Sequence, residues 1–185
     1  MVRKKLKLGI LGCGRVCRHY IEKILIPERV GELYEVVACC DVDENKSKHV
    51  AESFSCKAFS DINKFVEYKG MEVVVILTKS GQHYEHAKIC LNNHLNVIVE
   101  KPLSLRVEHV EELIQISSKT GKFCASIFQN RLNPAVEITK KAFENNRFGN
   151  LVSVSVRLRW CRLQEYYNDG WHGTWAQDGG VTNQQ

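Results

Sequence analysis

Short apolar runs that alternate with helical segments constrain the fold of this chain more than any other feature. The clearest run is Val73 to Leu77, which is continuous and largely β-branched, and Leu95 to Val99 is a second. Continuous apolar strands are typical of parallel sheets, because helices cover both faces of such sheets. Segments with helical spacing separate the runs as far as residue 128. The alternation predicts an α/β fold with a doubly wound parallel sheet.

The pattern gives approximate bounds for the elements of this first region. Strands are expected at Leu6–Leu11, Tyr34–Cys40, Met71–Leu77, Leu95–Val99 and Phe123–Phe128, and helices at Val16–Leu25, Asp43–Phe54, Gln82–Asn93 and Ser104–Thr120. Gly121 is expected to end the last of these helices.

The pattern changes after residue 128. Asn133 and Pro134 are suited to cap and open a helix that runs to about Asn145. From Leu151 to Trp160, apolar and polar side chains alternate, which predicts a half-buried strand of the antiparallel type. We therefore expect one domain over residues 1–128, and the incomplete start of a second, α+β domain over residues 129–185.

Charge and cysteine content argue against several classes of protein. The 26 Lys and Arg residues exceed the 21 Asp and Glu residues only slightly, so no nucleic-acid partner is expected. Eight cysteines include no Cys-x-x-Cys pair, which indicates reduced core residues, a cytoplasmic location and no metal site. No segment approaches the ~20 apolar residues of a membrane span, so no membrane association is expected.

A glycine pair lies between the first predicted strand and its helix. Gly12-x-Gly14 could let backbone N–H groups face a pyrophosphate, although Cys17 occupies the third glycine position and a simple tight turn is the alternative. Asp41 ends the second strand, where a carboxylate can bind the adenosine ribose or merely cap a helix. Because residues 41–44 contain carboxylates and no arginine, the sequence favours NAD over NADP.

Glu100-Lys101-Pro102 follows the predicted strand that ends at Val99. The carboxyl edge of an open α/β sheet is where ligands bind, so Lys101 is a candidate catalytic residue. Beside a cationic nicotinamide and partly desolvated, its ammonium pKa would fall, and the lysine could exchange a proton with a substrate hydroxyl. An ordinary turn is the alternative.

Together these motifs, with Thr78-x-Ser80 and Gln129-Asn130-Arg131, resemble the glucose-fructose oxidoreductase/inositol dehydrogenase (Gfo/Idh/MocA) family of NAD(P)-dependent oxidoreductases. The resemblance implies a Rossmann sheet, NAD as cofactor and a catalytic role for Lys101. It implies cofactor-binding roles for Gly12, Gly14, Arg15, Val16, Asp41, Thr78, Ser80, His83, Glu100, Lys101 and Gln129. Lys79, where the family usually has proline, and Cys17 depart from the family pattern.

Further on, Trp171 to Trp175 and Asp178 to Gly180 resemble the subgroup that oxidises the 3-hydroxyl of nucleotide-linked N-acetyl sugars or sugar acids. The resemblance implies a small-molecule sugar or nucleotide-sugar substrate, bound by Arg131, Trp175 and Asn183. Packing of the second domain is an alternative role for the aromatic stretch.

The family has a Gly-x-His-x-x-Asp segment, whose histidine works with the lysine, just beyond the point where this sequence ends at Gln185. We therefore expect a fragment of a longer dehydrogenase, homo-oligomeric at full length. A non-catalytic dinucleotide-binding or regulatory module, and an inositol or other polyol dehydrogenase, are the alternatives.

Overall fold

A six-stranded, wholly parallel sheet forms the centre of the protein. The structure, a computed structural model, describes residues 4–25 and 30–180. The strands are β1 (Leu6–Leu11), β2 (Tyr34–Cys40), β3 (Lys57–Phe59), β4 (Val73–Ile76), β5 (Asn96–Val99) and β6 (Cys124–Ser126). They lie in the order β3-β2-β1-β4-β5-β6, and every pairing is parallel. The predicted doubly wound α/β fold is confirmed.

The order of the strands reverses at β1, which pairs with β2 on one side and with β4 on the other. Chain connections leave in opposite directions at such a switch point, and a crevice opens there at the carboxyl ends of the strands. The place where this topology predicts the crevice lies beside the turn that follows Leu11.

Helices flank the sheet, and side-chain caps set several of their ends. They are α1 (Arg15–His19), α2 (Glu44–Phe54), α3 (Ile62–Val66), α4 (His83–Asn92), α5 (Val107–Thr120), α6 (Pro134–Glu144) and α7 (Gln164–Tyr167). Asp43 and Asn133 accept backbone hydrogen bonds at the starts of α2 and α6, and Gly121 ends α5 in the left-handed conformation. The helix predicted over Val16–Leu25 differs, since α1 gives way to a π-helical turn at Tyr20–Ile24.

Two apolar layers cover the two faces of the sheet. On β4, Val74 and Ile76 pack into one layer, while Val73 and Val75 pack into the other. Cys39 and Cys40 likewise lie on opposite faces, as predicted for adjacent strand residues. Free thiols of Cys13, Cys17, Cys39, Cys40 and Cys90 are buried in these layers, whereas Cys161 is exposed.

The described residues divide into two compact units, one of residues 4–25, 30–127 and 173–180 and one of residues 128–172. Residues 173–180 group with the first unit, because Gln177 contacts Gly81 after β4. The domain boundary predicted at residues 128–129 stays a prediction.

The strand predicted at Leu151–Trp160 is wrong. Residues 151–163 have no regular secondary structure, and side chains on both alternating faces are exposed, including Leu151 at 51% and Val152 at 96%. A strand needs neighbours to pair its backbone groups, and the part of the chain that the structure describes provides none for this segment.

Among the helices of residues 4–25 and 30–180, none is both long and apolar enough to cross a membrane.

Candidate active site

The turn after β1 requires a glycine at its first position. Gly12 has φ of +97°, and a Cβ atom there would lie 2.8 Å from the backbone of both Leu77 and Thr78. The Gly12 N–H donates to the carbonyl of Cys40 at 2.8 Å, which ties the turn to the end of β2. Only glycine combines this conformation with so close an approach to the end of β4.

Gly14 serves a different purpose in the same turn. It precedes α1 with an extended backbone, and a Cβ atom there would meet nothing within 4 Å. Arg15 and Val16 follow on the exposed first turn of α1. The N–H groups at the start of a helix lack partners within that helix, so they can bind an anion that enters this open space. Cys17, at the third fingerprint position, is fully buried and packs against the sheet.

Asp41 joins the end of β2 to the glycine turn. Its Oδ2 accepts from the Cys13 N–H at 2.8 Å, and its Oδ1 accepts from the Asp43 N–H at 2.9 Å. A carboxylate oxygen can accept more than one hydrogen bond, so each oxygen keeps acceptor capacity for a ligand hydroxyl. The side chain is half-buried at the crevice.

The segment after β4 carries Thr78 and Ser80. Thr78 Oγ1 lies 2.9 Å from His86 Nδ1, and Ser80 is buried. Burial, and to a lesser extent the nearby His83, lowers the pKa of His86 to about 4. The imidazole of His86 is therefore neutral near pH 7, and one hydrogen bond joins its Nδ1 to the threonine hydroxyl.

His83 is buried instead of facing the crevice. Its residue is 1% exposed, and its two ring nitrogens lie 2.6 Å from the Pro102 carbonyl oxygen and 3.0 Å from that of Thr78. Burial lowers the pKa of His83, against the opposing effect of these two carbonyl groups. Both polar atoms of the ring therefore face backbone carbonyl oxygens.

Glu100 and Lys101 follow β5 at the same edge of the sheet. Glu100 Oε1 accepts from the Tyr20 hydroxyl at 2.8 Å, and Oε2 accepts from the backbone N–H of Lys101 at 3.0 Å. Burial, and then the negative charge of Glu100, raise the pKa of Tyr20. Lys101 is half-buried and precedes the buried Pro102.

Sequence reasoning missed Tyr20. It lies in the π-helical turn that follows α1, and 80 positions separate it from Glu100. No local pattern links residues so far apart in sequence, because the fold alone brings the helix after the glycine turn beside the end of β5.

The remaining candidate substrate and cofactor residues are dispersed. Gln129 and Arg131 are exposed in the second unit, where the Arg131 guanidinium lies 5.8 Å from the centre of the Phe128 ring. Trp175 belongs to the first unit and is 83% exposed. Asn183 lies outside the described residues.

The segment around Trp175 is held against the end of β4. The Gly81 N–H donates to the Gln177 carbonyl at 2.9 Å, and a Cβ atom on Gly81 would lie 2.4 Å from the Ala176 oxygen. Asp178 accepts from the Gly173 N–H at 2.7 Å. Glycine at position 81 permits this close approach, which places the exposed indole in a segment packed beside the candidate site.

The structure therefore brings most of the predicted cofactor residues to one edge of the sheet. Gly12 to Val16, Asp41, Thr78, Ser80, Glu100 and Lys101 lie at the carboxyl ends of β1, β2, β4 and β5 or directly after them. Across residues 4–25 and 30–180, no group of three or more His, Cys, Asp or Glu side chains is arranged to hold a metal ion.

A parallel sheet with a glycine turn, a carboxylate after β2 and a lysine after β5 at its switch point defines a dinucleotide-binding oxidoreductase domain. Residues 6–128 match the family GFO_IDH_MocA, described as an oxidoreductase family with an NAD-binding Rossmann fold. The chain belongs to this family, and its first region is the NAD-binding Rossmann domain.

Known relatives include sugar and inositol dehydrogenases. The chain is 23% identical over 153 residues to glucose-6-phosphate 3-dehydrogenase of Bacillus subtilis, covering 83% of this chain and 42% of that protein. It is 26% identical over 146 residues to myo-inositol 2-dehydrogenase of Thermotoga maritima, covering 78% of this chain and 42% of that protein.

A solved structure shares the fold over nearly the whole chain. This is the WlbA dehydrogenase of Bordetella pertussis in complex with NADH and UDP-GlcNAcA, with a TM-score of 0.90, 29% identity, and coverage of 99% of this chain and 52% of that one. The chain thus spans about half the length of the relatives it matches.

Proposed function

We propose that the full-length protein is an NAD-dependent dehydrogenase that oxidises a secondary hydroxyl group of a sugar. The observation that carries the proposal is the position of Lys101. It follows β5 at the same sheet edge as the glycine turn, with its backbone N–H bound by Glu100. A lysine at this place can reach the group that reacts beside a dinucleotide.

The residues of the first unit fit NAD. The open space at Gly14 suits a pyrophosphate close to the backbone, with Arg15 and Val16 beside it. The acceptor capacity of Asp41 suits the ribose hydroxyls. In this proposal Thr78, Ser80 and Glu100 line the rest of the cofactor cleft, and Gln129, which belongs to the second unit, also binds the cofactor.

The chemistry divides between the cofactor and the protein. When bound, NAD supplies the acceptor of a hydride. Lys101 takes up the hydroxyl proton at Nζ as the carbonyl product forms, and then returns it to solvent. Glu100 holds the lysine backbone, while Arg131, Trp175 and Asn183 bind and orient the sugar.

We further propose a nucleotide-linked N-acetyl sugar or sugar acid, oxidised at its 3-position, as the substrate. The similarity to the WlbA dehydrogenase, whose structure contains UDP-GlcNAcA, supports this class. The exposed indole of Trp175 also supports it, because aromatic faces bind the apolar face of a ring.

The test is a substrate panel on the full-length protein. Formation of NADH is followed with UDP-GlcNAcA, glucose 6-phosphate and myo-inositol as separate substrates. We expect the highest kcat/KM with UDP-GlcNAcA. Preference for myo-inositol would indicate a polyol dehydrogenase, and NAD binding without turnover of any hydroxyl compound would indicate a non-catalytic module.

We also propose a homo-oligomer in the cytoplasm. An apolar groove of about 640 Å³ in the second unit supports self-association, with Val136, Phe143 and Leu151 among its lining residues. Buried, unpaired thiols support a reducing compartment. Light scattering on the full-length protein measures the oligomeric state, and a monomer would contradict this part of the proposal.

A further inference from the structure

His83 connects the ends of two neighbouring strands. Its ring contacts the carbonyl oxygen of Thr78, which follows β4, and that of Pro102, which follows β5. The residue is 1% exposed, so these two contacts account for both polar atoms of the imidazole. The ring lies beneath the candidate site and holds the two segments at a fixed separation.

The contact with Pro102 bears directly on Lys101. Pro102 is the next residue, and its carbonyl oxygen lies 2.6 Å from His83 Nδ1. On the other side, the Lys101 N–H is bound to Glu100 Oε2, and Glu100 Oε1 is bound to Tyr20. The backbone from which the lysine side chain starts is therefore fixed on both sides by buried or half-buried groups.

The ring nitrogen that faces Pro102 is the one suited to donate. Each ring nitrogen faces a carbonyl oxygen, and the contact at Nδ1 is the shorter of the two, 2.6 Å against 3.0 Å, which favours an N–H at Nδ1. A proton at Nδ1 satisfies the buried Pro102 carbonyl, which would otherwise be costly to leave without a donor. The Nδ1–H···O bond is thus the contact through which His83 acts on the lysine segment.

We propose that His83 is a positioning residue for Lys101, acting through its Nδ1 hydrogen bond to the Pro102 carbonyl. Because both ring nitrogens face backbone carbonyl oxygens, we assign His83 no direct contact with cofactor or substrate. The inference rests on the proposed function, in which Lys101 exchanges the substrate proton. A lysine displaced by a fraction of an ångström would still permit cofactor binding but would transfer the proton less efficiently.

Two amide variants separate the two ring nitrogens. The side-chain nitrogen of asparagine occupies nearly the place of Nδ1, whereas that of glutamine reaches nearly the place of Nε2. In the full-length protein we expect His83→Asn to keep most of kcat, and we expect His83→Gln and His83→Leu to lower kcat by about 10- to 100-fold. The dissociation constant of NAD, measured by calorimetric titration, should change little in all three.

A matched control removes the effect of stability alone. Cys90 is on the same helix, α4, and is fully buried in the core away from the crevice. Cys90→Ala should lower the melting temperature and leave kcat unchanged. If His83→Gln keeps the wild-type kcat, or if the Asn and Gln variants lose kcat equally, the positioning role is overturned.

Failure of the inference can be told from failure of the proposed function. Lys101→Met that keeps the wild-type kcat would overturn the catalytic lysine and the inference with it. Lys101→Met that loses turnover while His83→Gln keeps it would overturn the positioning role alone. The expected result is loss of kcat in both variants, with rescue by His83→Asn.

Discussion

At the scale of single residues, the two glycines of the turn after β1 are needed for different reasons, which the sequence pattern does not distinguish. Gly12 is needed for the fold, since its φ is positive and any Cβ would collide with the end of β4. Gly14 has open space beside it, which is where we propose that the pyrophosphate binds. A substitution at Gly12 should therefore lower the stability of the fold, whereas one at Gly14 should lower the affinity for NAD.

We expect Gly12→Ala to lower the free energy of unfolding by about 1–3 kcal/mol or more, because alanine is strained at this φ. Gly14→Ala should change it by less than about 1 kcal/mol, the scale of a helix cap, because its Cβ enters open space. The affinity for NAD should nonetheless fall in Gly14→Ala, since the Cβ occupies the place proposed for the pyrophosphate. Urea denaturation and calorimetric titration measure the two effects, and undiminished NAD affinity in Gly14→Ala would contradict the proposed binding mode.

Asp41 should decide the choice of cofactor. Its carboxylate is fixed at the crevice by Cys13 and Asp43, so a 2′-phosphate would meet a negative charge. We expect NAD to bind about 10-fold or more tightly than NADP, since like charges about 4 Å apart repel by about 1–4 kcal/mol. Asp41→Ser should narrow this preference.

Calorimetric titration with both oxidised cofactors measures the preference. Asp61→Ser is the matched control, because Asp61 caps α3 through the Asn63 N–H and serine can retain that cap. The control should keep the preference for NAD. Equal affinities for the two cofactors in the unaltered chain would show that Asp41 does not face the ribose.

At the scale of elements, the hydrophobic pattern predicted the strands inside the sheet, and the capping residues predicted several helix ends. The β2 strand has the predicted bounds. Asp43 and Asn133 precede the first residues of α2 and α6, and Gly121 follows the last residue of α5. Shorter elements such as β3, with three residues, leave too little pattern to predict. The π-helical turn after α1 was also missed, because helical spacing does not distinguish an α-turn from a π-turn.

The segment 151–160 shows what alternation alone cannot predict. Alternating side chains define two faces, but a strand also needs a partner for its backbone groups.

Contacts in the candidate site likewise depend on residues that are distant in sequence, so a local pattern does not predict them. The bonds from Tyr20 to Glu100 and from His83 to Pro102 depend on tertiary structure, whereas Asp41 and Lys101 were placed correctly from strand ends alone.

Backbone amides of residues 151–160 should therefore exchange with solvent much faster than those of residues 73–76. The latter form ladders with two neighbouring strands in the centre of the sheet. We expect rates that differ by on the order of 1,000-fold, since core amides exchange only through large-scale opening. Hydrogen exchange followed by mass spectrometry on the 185-residue chain measures both segments, and equal protection would show that residues 151–160 are paired.

At the scale of the whole molecule, the proposed cofactor site of the first unit is assembled from segments that are distant in sequence. The glycine turn, Asp41, the segment after β4 and Glu100-Lys101 converge because parallel strands end at one edge. Residues 173–180 also pack there, and carry the exposed Trp175. A cofactor, a proton-transferring lysine and a sugar could thus meet within reach of one sheet edge.

The most direct test of this account is the turnover of Lys101→Met in the full-length protein at saturating NAD and UDP-GlcNAcA. Methionine preserves much of the side-chain volume but cannot accept a proton. We expect kcat to fall by roughly 100-fold or more, the scale of a lost general acid or base, while NAD binds with nearly unchanged affinity. A variant that keeps the wild-type kcat would contradict the assignment of Lys101 as the catalytic residue.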